Sequence, residues 1–295
     1  MDILAPVTRK KSKARIAMTG PSGAGKTVSA LLLAFGITGD WKKIALIDTE
    51  HERGRFYADR SDLGIGTFLY CSLTPPYSPD RYIEYVSEAA RVVGSDGVVI
   101  VDSFSHAWNN EGGVLEIKDR IAGQSGKNSY TAWNEAGKFQ NSIVNTILAV
   151  DCHTIVTLRA KMAYAMEEDE RGKMKPVKIG LAPVQRDDVE YEFDIVFQIS
   201  RDHIATASKD TTFLDKYGAV ITPELGKQLG AWLNEGTEPI RCAECHKLIL
   251  PTGKRSAEQL AAASTEKFGK VLCASCATEK LKQQEADNAA KTISE

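Results

Sequence analysis

The stretch GPSGAGKT, Gly20 to Thr27, places glycines, a lysine and a hydroxyl in the order G-x-x-x-x-G-K-[ST]. These residue types at this spacing bind phosphate. The glycines leave backbone N–H groups free to wrap phosphate oxygens, Lys26 offers a point charge to the β and γ phosphates, and Thr27 offers a hydroxyl to Mg²⁺. An apolar run, RIAMT, precedes the stretch and a helical pattern, VSALLLAF, follows it. The helix N-terminus thus adds its dipole to the same place. Gly20, Pro21, Ser22, Gly23, Ala24, Gly25, Lys26, Thr27 and Val28 are therefore the expected binding run for ATP.

A P-loop needs a second carboxylate at the end of a neighbouring buried strand to hold Mg²⁺. GVVIVDS offers Asp102. A further carboxylate stands out in IALIDTEHERGRFYAD, where an apolar run turns abruptly acidic at Asp48 and Glu50. Strand C-terminal ends of a wound sheet face the nucleotide. Glu50 is thus placed to orient a water for in-line attack on the γ-phosphate, with Glu52 the next candidate in the same segment. Far along the chain, CAEC (Cys242, Cys245) and CASC (Cys273, Cys276) form two C-x-x-C pairs separated by 27 residues. Four thiolates so spaced suit a tetrahedral metal, usually Zn²⁺, in a closed structural site. Cys71 and Cys152 read as core thiols.

The elements that must position these groups follow from periodicity. Short apolar runs at 15–19, 43–48, 67–72, 97–102, 153–158 and 193–199 alternate with helical patterns at 26–36, 79–93 and 131–150. Val98, Val99, Ile100 and Val101 form an unbroken apolar run, as in a parallel strand covered on both faces. Such alternation predicts an α/β fold with a wound, mostly parallel sheet. Two stretches, 103–130 and 160–190, are long, polar and irregular, as functional loops often are. The expected organisation is a basic N-terminal arm at 1–14, an ATPase core at 15–235, a linker at 236–241, a cysteine module at 242–276 and a polar tail at 277–295. Among 295 residues, 26% are charged and the formal net charge is −2, so no global field draws the chain to a polyanion or a membrane. No apolar run approaches the roughly 20 residues of a membrane span. A cytoplasmic protein without a membrane partner is expected.

LIDTEH following a P-loop, then VVIVDS, resembles the RecA-type ATPase core in that order, over roughly residues 14–235. With the cysteine module included, the layout resembles phage-encoded RecA-like ATPases of the single-strand annealing and recombination kind. The resemblance implies a RecA-like P-loop core with a small C-terminal zinc module, working in the host cytoplasm if phage-encoded. It makes Glu50 the catalytic base alongside Lys26, with ATP, Mg²⁺ and Zn²⁺ as cofactors. It also implies single-stranded DNA as partner, a homo-oligomer or filament, and a single-strand-binding protein as a further partner. The sequence departs from the pattern in two places. Thr157 of HTIVTLRAK stands where a γ-phosphate-sensing glutamine is usual, and Arg159 is a substitute. Of a K-x-R finger acting across a subunit interface, SKDTT keeps only Lys209, so Lys209, Lys175, Lys178 and Arg186 remain alternatives.

By the same resemblance, DNA contacts fall in 103–130 and 160–180. There Lys127, Arg159, Lys161, Lys173 and Lys175 are the phosphate-binding candidates and Tyr164 a stacking one. The acidic run 167–170 fits the tip of a hairpin turning near 170–172. The expected function is a Mg²⁺-dependent, DNA-dependent ATP hydrolase that promotes strand annealing or recombination. A helicase-like or loader motor, and an ATP-switched DNA-binding protein without significant turnover, are the alternatives.

Overall fold

The computed structural model describes residues 7–168, 174–253 and 255–293, and for 163–168, 175–180 and 285–293 the backbone alone. It divides into two compact units, Lys13–Leu233 and a second formed by Met1–Ser12 with Asn234–Glu295.

In the large unit the strands are β1 (Arg15–Gly20), β2 (Ile44–Asp48), β3 (Leu69–Ser72), β4 (Val98–Asp102), β5 (His153–Glu168), β6 (Met174–Pro183), β7 (Ile195–Ile199), β8 (Ala205–Asp210) and β9 (Gly218–Ala219). The helices are α1 (Lys26–Thr38), α2 (Pro79–Val93), α3 (His106–Asn109), α4 (Val114–Ala122), α5 (Ser129–Ala149) and α6 (Pro223–Leu233). The sheet order is β3-β2-β4-β5-β1-β7-β8-β9, with β6 paired to β5. Pairing is parallel from β3 through β7 and antiparallel for β5–β6, β7–β8 and β8–β9. The α/β fold with a mostly parallel sheet is as the sequence predicts.

The unbroken apolar run of β4 serves two cores. Val98 and Ile100 pack with Leu31 and Leu33 of α1 and Leu225 and Leu229 of α6. Val99 and Val101 pack with Tyr82 and Val86 of α2 and Ile143 and Ile147 of α5. Alternate strand residues point to opposite faces, so a strand between two helical layers must be apolar throughout. The polar stretch at 103–130 is more ordered than its composition suggests, since it holds α3 and α4. Ile117 and Ile121 of α4 bury against Ala132 of α5. The other polar stretch carries the β5–β6 hairpin, in which Glu167 pairs with Lys175 and Tyr164 with Lys178.

In the second unit the described basic residues of the expected arm are paired within their own chain. Lys10 bridges to Thr237 in the expected linker, and Arg9, Lys10 and Lys11 form ion pairs with Glu235, Glu258 and Glu238. These cations meet carboxylates of their own chain. Arg15 belongs to β1, where its guanidinium donates to the Cys152 and Val150 carbonyls. The cysteine segment carries α7 (Ala257–Phe268) and α8 (Ala274–Ile293), the latter continuing through the expected polar tail. Ser256 and Gln259 cap the start of α7 reciprocally, and Gly269 ends it with φ 72°. The core here is small: Cys242, Ile249, Ala257 and Leu272 form its buried cluster, with Ala261 and Ser264 also buried on α7.

Helices α1 and α6 cross at two glycines. A Cβ on Gly36 would lie 2.7 Å from the Gly226 Cα. Neither backbone can withdraw without opening the core beneath it. Gly226→Val is expected to destabilise the large unit by about 1–3 kcal/mol through overpacking, read as a lower midpoint in urea unfolding followed by circular dichroism.

Candidate active site

The parallel register brings the candidate residues to one edge of the sheet. Asp48 ends β2 directly beside Asp102 at the end of β4, and Gly20 ends β1 beside Arg159 on β5. A pocket of about 410 Å³ lies there, lined by Ser22, Gly23, Gly25, Lys26, Thr27, Glu50, Arg53, Gly54, Tyr57, Asp102, Arg159 and Ala160. The P-loop, Glu50 and Asp102 thus share one cavity although 75 residues separate Thr27 from Asp102.

Gly25 adopts φ 85°, which turns the chain into α1 in a conformation a side chain would strain. Lys26 Nζ donates to the carbonyls of Gly20 (2.9 Å) and Pro21 (3.0 Å). Burial lowers the Lys26 pKa, against the opposing pull of Asp102 and Glu50. Asp102 is buried, and its oxygens accept hydrogen bonds from Thr27 Oγ1 (2.5 Å) and Thr157 Oγ1. Burial raises its pKa, against the pull of the two hydroxyls. A buried carboxylate held by neutral hydroxyls has charge to spare for a cation. Asp102 with Thr27 is therefore a fitting donor pair for Mg²⁺. Thr157, in the place of a γ-phosphate sensor, instead fixes Asp102.

Glu50 is set by a chain of contacts that runs back to Asp48. Asp48 accepts from the Glu50 backbone N–H (2.5 Å) through one oxygen, and from Gly54 N–H (2.8 Å) and the Tyr70 hydroxyl (2.9 Å) through the other. The Glu50 carboxylate meets Arg159 in a two-pronged ion pair, with Arg159 Nε 2.7 Å from Oε1 and Nη2 on Oε2. Burial opposes its charged form, but Arg159 outweighs burial and holds the carboxyl below its ordinary range. His106 Nε2 is 3.8 Å from Glu50 Oε1, while Nδ1 lies 2.7 Å from Thr49 Oγ1. Burial lowers the His106 pKa, with Arg159 adding to it and Glu50 opposing. Glu52 pairs with Arg55 at the surface, outside the pocket.

Other expected residues lie elsewhere. Lys127 pairs with Glu135, and Lys161 is exposed on β5. Lys173 is outside the described residues; Lys175 and Lys178 are placed by backbone alone on β6. Of the finger candidates, Lys209 bonds the Tyr191 carbonyl and Arg186 bonds Asn141 Oδ1 at 2.9 Å. Neither lines the phosphate pocket. Arg53 and Tyr57 line the pocket from a short 3₁₀ helix and His106 stands behind Glu50 at the start of α3, elements too short for sequence periodicity to expose.

In the second unit the four Sγ atoms of Cys242, Cys245, Cys273 and Cys276 lie within 4.8 Å of one another, and Cys245 Sγ is 3.6 Å from Cys273 Sγ. Metal–sulfur bonds of about 2.3 Å in a tetrahedron set sulfurs about 3.8 Å apart, so the cluster fits a metal ion. Burial disfavours the Cys242 thiolate, but backbone N–H groups outweigh it and bring the pKa to about 6.

A family model of the AAA domain matches residues 12–222, most of the chain and all of the pocket just described. The chain belongs to the AAA domain family. No curated protein matches it. The AAA domain here is thus a P-loop ATPase core, and the cysteine cluster that follows it in the chain is a candidate metal site. No helix among the described residues is long and apolar enough to cross a membrane.

Asp48 has no place in the binding run, yet it holds the turn that carries Glu50. Asp48→Ala would leave buried donors unmet, at about 1–3 kcal/mol each. It is expected to lower kcat about tenfold or more while nucleotide affinity changes less than the turnover. Steady-state turnover with parallel nucleotide titration reads the difference.

Proposed function

We propose that this AAA domain protein hydrolyses ATP with Mg²⁺, binds single-stranded DNA and promotes strand annealing or recombination as an oligomer. The observation that carries the hydrolysis is the single pocket uniting the P-loop, buried Asp102 and Glu50. Lys26 and the P-loop amides bind the triphosphate. Asp102 and Thr27 would hold Mg²⁺, which supplies charge neutralisation to the phosphates. Glu50 orients the attacking water and accepts its proton. For that, Arg159 must leave Glu50, because a carboxylate committed to a guanidinium is a weaker base. Once free, Arg159 carries its charge toward the transferring phosphoryl group.

The DNA partner is supported by the same arginine. Strand β5 runs from Arg159 straight into the hairpin with β6. A strand bound at the hairpin would shift Arg159 relative to Glu50 and stimulate turnover. The intact Glu50–Arg159 pair favours a second reading, an ATP-switched binding protein with little turnover. Zn²⁺ is the proposed occupant of the Cys₄ cluster, holding together a unit whose buried core is too small to fold alone.

Lys26→Ala is expected to abolish tight ATP binding. Glu50→Gln is expected to keep binding and reduce turnover by about 10²–10⁴-fold, since an amide cannot accept the proton. Nucleotide titration and phosphate release, each with and without single-stranded DNA, test both. Wild-type turnover in Glu50→Gln, or turnover indifferent to DNA, would overturn the corresponding half of the proposal.

Protein purified without added zinc is expected to carry one Zn²⁺ per chain, and chelation to unfold the cysteine unit while the AAA domain keeps its melting transition. Elemental analysis and melting curves decide this. A metal-free sample with an intact C-terminal fold would rule the zinc out.

A further inference from the structure

A groove of about 950 Å³, larger than the phosphate pocket, runs along one face of α5. Ala136, Ile143 and Ile147 commit the adjoining face of this helix to the core. The groove face shows Trp133, Gly137, Asn141 and Asn145, spaced four residues apart. Trp133 is 41% exposed and stacks on Trp108, with centroids 5.9 Å apart and planes at 23°.

Gly137 sits inside a 21-residue helix. Glycine weakens a helix interior relative to alanine, so its presence calls for a reason. Packing does not supply one: a Cβ there would meet only Arg186 Nη1, at 3.9 Å. The missing side chain leaves room between Trp133 and Asn141 for something to lie against the helix.

The groove floor has unused hydrogen-bonding capacity. Gln140 is 1% exposed, and its Oε1 has no partner among the described residues. Its Nε2 donates to Gln185 Oε1 (3.0 Å), and Gln185 Nε2 donates to the Phe104 carbonyl (3.2 Å), two residues past Asp102. The other wall reaches the pocket as well, since Lys161 follows Arg159 on β5.

Charge narrows the ligand. Lys161 and Arg186 line the groove, but so do Asp187, Asp188 and Glu192. This balance does not suit a site that grips phosphates alone. An aromatic platform beside amides, which donate and accept together, suits flat rings with polar edges. Bases within a duplex are already stacked and paired, so only an unpaired strand presents them. Building on the single-strand partner proposed above, we propose that this groove takes nucleobases of single-stranded DNA, stacked on Trp133 and bonded at their edges by the α5 amides. Binding would bear on Glu50 through Lys161 and Arg159, and on Asp102 through Gln185 and Phe104.

The test compares a dye-labelled single-stranded oligonucleotide with an abasic strand of equal length, by anisotropy and tryptophan emission, on the full chain. Both strands carry the same phosphates. The wild type is expected to prefer the base-bearing strand by about tenfold or more and to change its emission on binding. Trp133→Leu removes the platform, and Gly137→Leu fills the groove at a position where a Cβ meets only Arg186 Nη1, at 3.9 Å. Each is expected to abolish the preference while keeping the wild-type melting midpoint, and either correctly folded variant suffices. Strands bound equally well by wild type and variants would overturn the groove and leave a DNA-acting ATPase standing. Failure of the wild type to bind any strand would remove the single-strand reading together with this one. Tryptophan emission that answers to an oligosaccharide or a peptide but not to the oligonucleotide would assign the groove to another ligand.

Discussion

A carboxylate buried at the end of a parallel strand is the constraint around which this molecule is arranged. Asp102 has almost no access to water, and its carboxylate receives hydrogen bonds from the Thr27 and Thr157 hydroxyls. Both donors come from elements that pack beside β4 through the two cores. If α1 or β5 shifted, the carboxylate would lose a partner in a place where loss is costly. The apolar layers and the polar site are thus mutually dependent: the cores set the strand register, and the register decides which oxygens meet.

The same logic explains Glu50. It lies beyond the end of β2, where ladder pairing no longer fixes the backbone. Asp48 takes over by accepting from the Glu50 and Gly54 amides, so one carboxylate shapes the turn that presents another. Arg159 then neutralises the presented one. The site is electrostatically closed, with Glu50 and Arg159 satisfying each other. Opening it needs a competitor for Arg159, and a triphosphate beside Lys26 has the right charge. Such competition would link nucleotide occupancy to the strand that leads into the hairpin.

The second unit solves a different problem. Its few buried side chains leave little apolar area to offset chain ordering. Ion pairs from residues 9–11 join its segments at the surface, where such pairs contribute little. The four converging thiols are the stronger device, because a metal held there would join both ends of the segment at once.

The sequence by itself determined the phosphate loop, the α/β alternation, the cysteine quartet and the strand that delivers Asp102. Each is a local pattern: glycine spacing, apolar period, C-x-x-C. It also singled out Glu50, because an abrupt change from apolar to acidic at a strand end is visible without a fold. Only the tertiary structure decided that Thr157 serves Asp102, that Arg159 occupies Glu50, that His106 stands behind it, and that the N-terminal lysines face their own chain's glutamates. It likewise turned scattered residues of α3, α5 and the segment after β6 into one groove. These relations join residues tens to hundreds of positions apart. Their distances depend on strand order and helix packing, and no period in the sequence records which side chains a sheet edge will bring together.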